Sequence, residues 1–144
     1  MKKEDVLDEF RLRFVDQWPF PAAEIQVFLA ERNLPPPPDK PWVTRTTVFG
    51  DTFSKEGFHG QDETSGLVMF KVGIPDGYVP GDLLKEVLKY SNVIDKMFRT
   101  WKDHSPELFL QAPYLTKQGS TGDGYYTAIV YIPFTMMEDS IYVN

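Results

Sequence analysis

A strand, a turn and a long helix follow one another within residues 66–101, and this unit constrains the fold more than any other stretch of the chain. Apolar residues occupy every second position in residues 68–74, which predicts a strand with one buried face. Pro75 ends the strand because proline has no N–H for the ladder. The next segment contains the pairs Asp76-Gly77 and Pro80-Gly81, which are typical of turns. The unit therefore predicts an α+β protein in which a helix covers a sheet.

The helix is predicted to start at Asp82, whose carboxylate can accept hydrogen bonds from the free N–H groups of the first turn. Its apolar residues recur at spacings of three, four and seven, which predicts one buried stripe. That stripe consists of Leu84, Val87, Leu88, Ile94, Met97, Phe98 and Trp101.

Length and composition limit the possible classes of protein. A chain of 144 residues predicts one domain, residues 1–144. There is no Cys and there are only two His, so neither a disulfide framework nor a His-based metal site is expected. The net charge of -6 argues against general nucleic-acid binding. No apolar run has the length of a membrane span, and the N-terminus lacks the apolar core of a signal peptide, so we expect a soluble protein without membrane contact.

The N-terminal half is predicted to contain one helix and one further strand. Residues 1–20 form the N-terminal helical segment, with the helix itself over residues 3–17. Residues 22–34 fit either a short helix or an extended segment, and we favour the extended one. The proline run that follows, residues 35–38, reads as a rigid loop, with a ligand for an SH3-type domain as the alternative. Residues 42–53 are predicted to be a strand.

Four further segments complete the predicted fold. Residues 54–65 are polar and join two strands, so we expect a protruding loop or hairpin arm. Two strands, residues 107–112 and 124–134, are predicted to pair as a hairpin, and residues 135–144 are predicted to be a loose acidic tail. The predicted fold class is α+β: a roughly four-stranded, mostly antiparallel sheet packed by two α-helices.

The alternation of the strands leaves a second sheet face that is also apolar. Its predicted members are Leu67, Met69, Phe109, Tyr125, Ile129 and Tyr131. Burying three such side chains is worth several kcal/mol, at about 1.5–3 kcal/mol each. Either the N-terminal segments or another subunit must cover this face, and these six residues are the candidate subunit interface.

Catalytic, metal and cofactor sites have only weak candidates, so no enzyme activity and no cofactor are predicted. The Gly-rich turn at 76–82 has the position of a phosphate loop but lacks a lysine, and its aspartates would repel an anion. His104 fits a helix C-cap better than a catalytic base. The acidic residues beside His59 fit a solvated loop better than a metal site. Residues 120–123 offer hydroxyl groups and an aspartate without a histidine nearby in the sequence.

Several short motifs follow one another in a characteristic order: Pro36-Pro37-Pro38, Pro41-Trp42-Val43-Thr44-Arg45, Phe49-Gly50-Asp51, Gly66-Leu67-Val68, Ile74-Pro75-Asp76-Gly77, Met97-Phe98-Arg99, Gln111-Ala112-Pro113, Gly122-Asp123-Gly124-Tyr125-Tyr126 and Val130-Tyr131-Ile132-Pro133-Phe134. In this order and spacing, over residues 33–134, the chain resembles the tail terminator, or tail completion, proteins of long-tailed bacteriophages. It departs from them in its longer N-terminal helix and its acidic C-terminal tail.

The resemblance implies a structural virion protein that is made in the bacterial cytoplasm and forms a ring, commonly of six subunits. Such a ring sits at the head-proximal end of the tail, stops polymerisation of the tail tube and offers a surface to the connector or neck proteins of the head. DNA would only pass through its lumen. The candidate lumen or arm residues are Lys55, Glu56, His59, Asp62 and Glu63. Two alternatives remain open: a neck or connector adaptor, and a small ligand-binding or enzymatic domain.

Overall fold

Three long antiparallel strands carry the fold, and two helices cover one of their faces. The computed structural model describes residues 1–30, 39–54, 61–78 and 81–139. Its elements, in chain order, are α1 (Lys3–Gln17), β1 (Gln26–Phe28), β2 (Trp42–Ser54), β3 (Gln61–Pro75), α2 (Leu83–Arg99), β4 (Leu108–Leu110), β5 (Tyr114–Leu115), β6 (Gly119–Ser120) and β7 (Tyr125–Asp139).

The sheet has the strand order β1-β2-β3-β7-β4, and β5 and β6 also pair with β7. Strand β1 runs parallel to β2, and all the other pairs are antiparallel. Strands β3 and β7 pair along their whole lengths, from Gln61 opposite Asp139 to Pro75 opposite Tyr125. This pairing makes β3 the central strand of the sheet.

The prediction of a roughly four-stranded sheet is wrong, because the described residues form a seven-stranded one. The predicted strand at 107–112 is the short β4, and two more short strands pair with β7 before the chain turns into it. Strands of two or three residues are too short to show an alternating pattern. The mixed class of sheet and helix is compatible with the structure, as is the extended conformation favoured near residue 26.

Two predicted boundaries also need correction. The loop prediction for residues 54–65 is wrong at both ends, because Ser54 belongs to β2 and residues 61–65 belong to β3. Residues 55–60 lie outside the described part of the chain. The prediction of a tail from residue 135 is wrong for residues 135–139, which belong to β7, and residues 140–144 lie outside the described part of the chain. Residues 61–65 are polar, residues 135–139 include two methionines, and each segment supplies the strand partners of the other.

The core lies between the two helices and one face of the sheet. Val6, Phe10 and Phe14 of α1 are buried there, and so are alternate residues of β3 and β7. Arg45 on β2 donates a hydrogen bond to the Leu7 carbonyl at 3.0 Å, which fixes α1 over β2. Both helices therefore cover the same face of the sheet.

Helix α2 has the predicted cap and most of the predicted stripe. Its buried apolar residues include Val87, Ile94, Met97 and Phe98. Leu84 is an exception, because 45% of its surface is exposed. The prediction placed Leu84 in the stripe by spacing alone, but it lies on the solvent side of the first turn.

Replacing Asp82 with alanine should lower the free energy of unfolding by about 1 kcal/mol. The Asp82 carboxylate accepts a hydrogen bond from the Lys85 N–H at 3.1 Å, and alanine leaves that donor without its cap. Asp82→Asn is the matched control, because asparagine caps a helix about as well as aspartate. Urea denaturation of the two variants should separate them, and equal losses would show that the cap is not the cause.

Candidate functional site

The sheet has a second face, turned away from both helices, which we call the open face. Residues with odd numbers on β3 and β7 point to this side, while Phe70, Val130 and their alternate neighbours point into the core. The Phe14 ring of α1 stacks on Phe70, so this helix lies on the core side. The N-terminal helix therefore does not cover the open face.

Large side chains from five strands meet on the open face in what we call the open-face cluster. It consists of Val48, Leu67, Met69, Phe109, Tyr114, Tyr131 and Pro133. The register explains why they meet: Leu67 lies between Val48 and Pro133, and Met69 lies directly opposite Tyr131. The rings of Tyr114 and Tyr131 are stacked with their centroids 5.0 Å apart.

Much of this cluster is accessible to solvent. The exposed fractions are 55% for Phe109, 51% for Tyr114 and 49% for Val48, and the other members are half-buried. No member carries a charge. The five strands occupy four positions across the sheet, because β4 and β5 share one edge of β7. Four positions about 4.8 Å apart and a length of about 20 Å along the strands give the cluster an area of about 400 Å². A contiguous apolar patch of this size is often an interaction site.

One end of the open face is closed by Trp42, which is 4% exposed. The Trp42 indole lies on Gly73: a Cβ at position 73 would come within 2.2 Å of the Trp42 Cζ2 atom. Tyr125 contacts the same indole edge to face at 5.4 Å. The side chain of Lys71 reaches over the Trp42 ring, so a cation separates this closed end from the open-face cluster.

All six residues predicted as a subunit interface lie on the open face. Leu67, Met69, Phe109 and Tyr131 belong to the cluster itself. Ile129 lies one row further along β7, opposite Lys71, and Tyr125 belongs to the closed end. The structure brings the first four together and sets Tyr125 apart, and the role of these residues in an interface stays a prediction.

Sequence reasoning missed Val48, Tyr114 and Pro133 as members of the cluster. Val48 lies in a strand whose polar residues hide the alternation, and a β-bulge between Phe49 and Thr52 shifts the register of that strand. Tyr114 was hidden because residues 113–123 have the composition of a loop. For Pro133 a sequence signal was available, because it continues the two-residue alternation of Ile129 and Tyr131.

The ends of the three long strands extend the sheet as an arm, formed by residues 50–54, 61–65 and 135–139. A chain of hydrogen bonds crosses it: the Thr64 hydroxyl contacts the Thr52 hydroxyl at 2.8 Å and donates to Glu138 at 2.9 Å. The Lys3 ammonium lies 3.6 Å from the other Glu138 oxygen. The arm is therefore a hydrogen-bonded sheet.

Two of the predicted lumen residues belong to the arm and not to a loop. Asp62 is only 5% exposed, and it lies on the core side of β3, so it does not belong to a solvated loop. Glu63 is half-buried on the opposite side of the same strand. The remaining three, Lys55, Glu56 and His59, lie outside the described residues.

The residues that the sequence offered as candidates for chemistry have local contacts in the described part of the chain. The His104 ring contacts Trp101, and its Nδ1 atom lies 3.0 Å from the Ser105 carbonyl oxygen. Burial, and then the charge of Glu24, raise the pKa of the Tyr90 phenol, which therefore stays protonated. The Asp82 carboxylate is used as a helix cap. No group of three or more potential metal ligands lies together in this part of the chain.

The turn at residues 120–123 also has a local explanation. The Thr121 hydroxyl donates a hydrogen bond to the Asp123 carboxylate, and this contact lowers the pKa of Asp123. The Tyr125 N–H donates to the same carboxylate oxygen at 3.3 Å. The hydroxyl group is therefore tied to the turn that leads into β7.

An apolar groove of about 410 Å³ lies between the end of α1 and the segment that leads into β1. Phe14, Val15 and Trp18 form one wall, and residues of the segment 20–29 form the other. Among the described lining residues, Gln26 is the one whose side chain is not aliphatic or aromatic. A small ligand would find few groups to fix its orientation there.

No family model matches the chain, and no curated protein matches it either. Within the described residues, neither helix is long and apolar enough to span a bilayer.

Proposed function

We propose that this chain is a structural subunit that joins copies of itself through its open face. In the most specific form of the proposal it is a tail terminator: a six-fold ring at the head-proximal end of a phage tail tube. The ring would end tube polymerisation and present a joining surface to the head. The open-face cluster is the single observation that carries the self-assembly, and the resemblance of the motifs carries the phage assignment.

A second copy of the chain is the partner that fits the cluster best. Interfaces between identical subunits are more apolar than other interfaces, and their centres are poor in charge. The cluster has that composition, with Lys71 beside it and Glu63 further along β3. Nucleic acid would need several basic side chains on this surface.

The arm and the net charge fit the same proposal. A ring that DNA passes through must not hold phosphate groups, and a net charge of -6 makes the subunit repel them. The arm is a continuous part of the sheet, so neighbouring arms in a ring would form a continuous rim. A non-enzymatic role in the virion is consistent with the local, structural contacts of His104 and Asp123.

A neck or connector adaptor would use the same kind of self-assembly, so its partner distinguishes it. A terminator binds the end of the tail tube, whereas an adaptor binds the portal side of the head. A ligand-binding domain is the rival of another class, and the apolar groove beside α1 is the observation that favours it.

The test is to add the purified full-length chain to tail tube protein during polymerisation and to image the product by negative stain. We expect shorter tubes, with a ring of this chain at one end of each. Tubes of unchanged length without the chain at their ends would contradict the terminator assignment. Rings that bind only the portal assembly would assign the adaptor function.

A further inference from the structure

A closed ring needs two different contact surfaces on each subunit, because a head-to-tail contact joins unlike patches. The open-face cluster supplies one of them. The other must lie on a different side of the subunit and must be able to receive large apolar side chains. This inference rests on the proposed self-assembly and names the second surface.

Helix α1 carries exposed apolar residues on its outer side. Leu12 is 61% exposed and Val15 is 58% exposed. At about 100° per residue, they lie about 200° and about 140° around the helix from the buried Phe10. They therefore point away from the sheet, on the side of the subunit opposite the open face.

The apolar groove continues this outer surface. Val15 lines the groove together with Trp18, Val27 and Leu29. Its volume of about 410 Å³ accommodates a large aromatic side chain. Phe109 and Tyr114 are the most exposed aromatic residues of the open-face cluster, so one side of the subunit has protruding rings and the other has a groove.

We propose that the open-face cluster of one subunit docks on the outer side of α1 of the next, with Phe109 or Tyr114 entering the apolar groove. The charges nearby are compatible with this contact. Asp8 and Asp16 are exposed on α1, four residues before and after Leu12, and Lys71 borders the cluster on the partner side.

The docking surface on the cluster side must be larger than the cluster itself. A stable, specific interface buries about 800 Å² on each partner, and the cluster supplies about 400 Å². On the facing subunit, Leu12, Val15 and the groove are the apolar part of the contact, and exposed charged residues such as Arg11 and Asp16 surround them. A contact of this kind would also cover Leu12 and Val15, whose exposure is otherwise unfavourable.

Engineered cysteines test this docking directly, because the natural chain contains none. We would make Val15→Cys, Tyr114→Cys and the double variant, and treat each with a short bismaleimide in the full-length chain. We expect the double variant to give a ladder of covalent oligomers and each single variant to stay largely uncrosslinked. A second pair, Val15→Cys with Asn92→Cys, places both cysteines on exposed positions of the helix side. It is the matched control and should give no ladder, because the docking joins the helix side to the open face.

Light scattering on the same samples separates the two levels of the proposal. If the double variant forms oligomers without a ladder, the docking surface is wrong while self-assembly stands. If Tyr114→Cys alone crosslinks efficiently, the contact is two-fold between like surfaces, which also overturns the docking. If every sample stays monomeric, also in the presence of tail tube ends, both the docking and the proposed function are overturned.

Discussion

Replacing Phe70 with alanine is expected to lower the free energy of unfolding of a single subunit by about 3–5 kcal/mol. Phe70 is fully buried, and its ring is stacked between Phe14 and Phe98, with centroid distances of 5.2 Å to each. It is the point where both helices contact the central strand. Alanine would leave a cavity under both helices at once.

The measurement is urea denaturation with a Met69→Glu change present in every sample, so that association does not add to the apparent stability. Phe109→Ala is the matched control, because it removes the same ring from the exposed open face. We expect that control to change the free energy of unfolding by less than about 1 kcal/mol. Equal losses for the two variants would contradict the assignment of the core to the helix side.

Replacing Met69 with glutamate should prevent self-association while leaving the subunit folded. Met69 lies in the middle of the open-face cluster, between Thr46 on β2 and Tyr131 on β7. Burying an unpaired carboxylate there costs several kcal/mol. At 1.4 kcal/mol for each tenfold change, the dissociation constant should rise by at least about 100-fold.

Asn92→Glu provides the control for added charge. Asn92 is exposed on α2 and belongs neither to the cluster nor to the lining of the groove. We expect it to associate like the unmodified chain. Circular dichroism should give the same helix signal for both variants. Association of Met69→Glu at unmodified strength would remove the open-face cluster from the interface.

Long elements could be predicted from the sequence because each repeats one simple pattern. Alternation over residues 68–74 identified the buried face of β3, and the capping aspartate identified the start of α2. The same alternation predicted that Leu67, Met69 and Tyr131 would share the opposite face. Burial is the physical cause of these patterns, so they are strongest where a strand or helix has one dry side.

The remaining elements depend on contacts between distant segments. Residues 61–65 are polar and read as a loop, yet they pair with Thr135–Asp139 over the whole arm. Thr64 is fully buried there because Thr52 and Glu138 satisfy its hydroxyl. The two segments form strands together, and neither is long enough or regular enough in pattern to show this by itself.

Part of the candidate site was hidden for the same reason. Tyr114 reaches the open-face cluster only because β5 pairs with β7 opposite Tyr131. Val48 reaches it because β2 is in register with Leu67. Both positions follow from strand pairing, which a single sequence does not specify for short or polar strands.

The most direct test of the open face is the mass of the full-length chain by light scattering over a concentration series, with and without tail tube ends. We predict that the unmodified chain forms a closed oligomer of several subunits and that Met69→Glu stays a single subunit under the same conditions. A single subunit at every concentration, even in the presence of tube ends, would contradict self-assembly through this face.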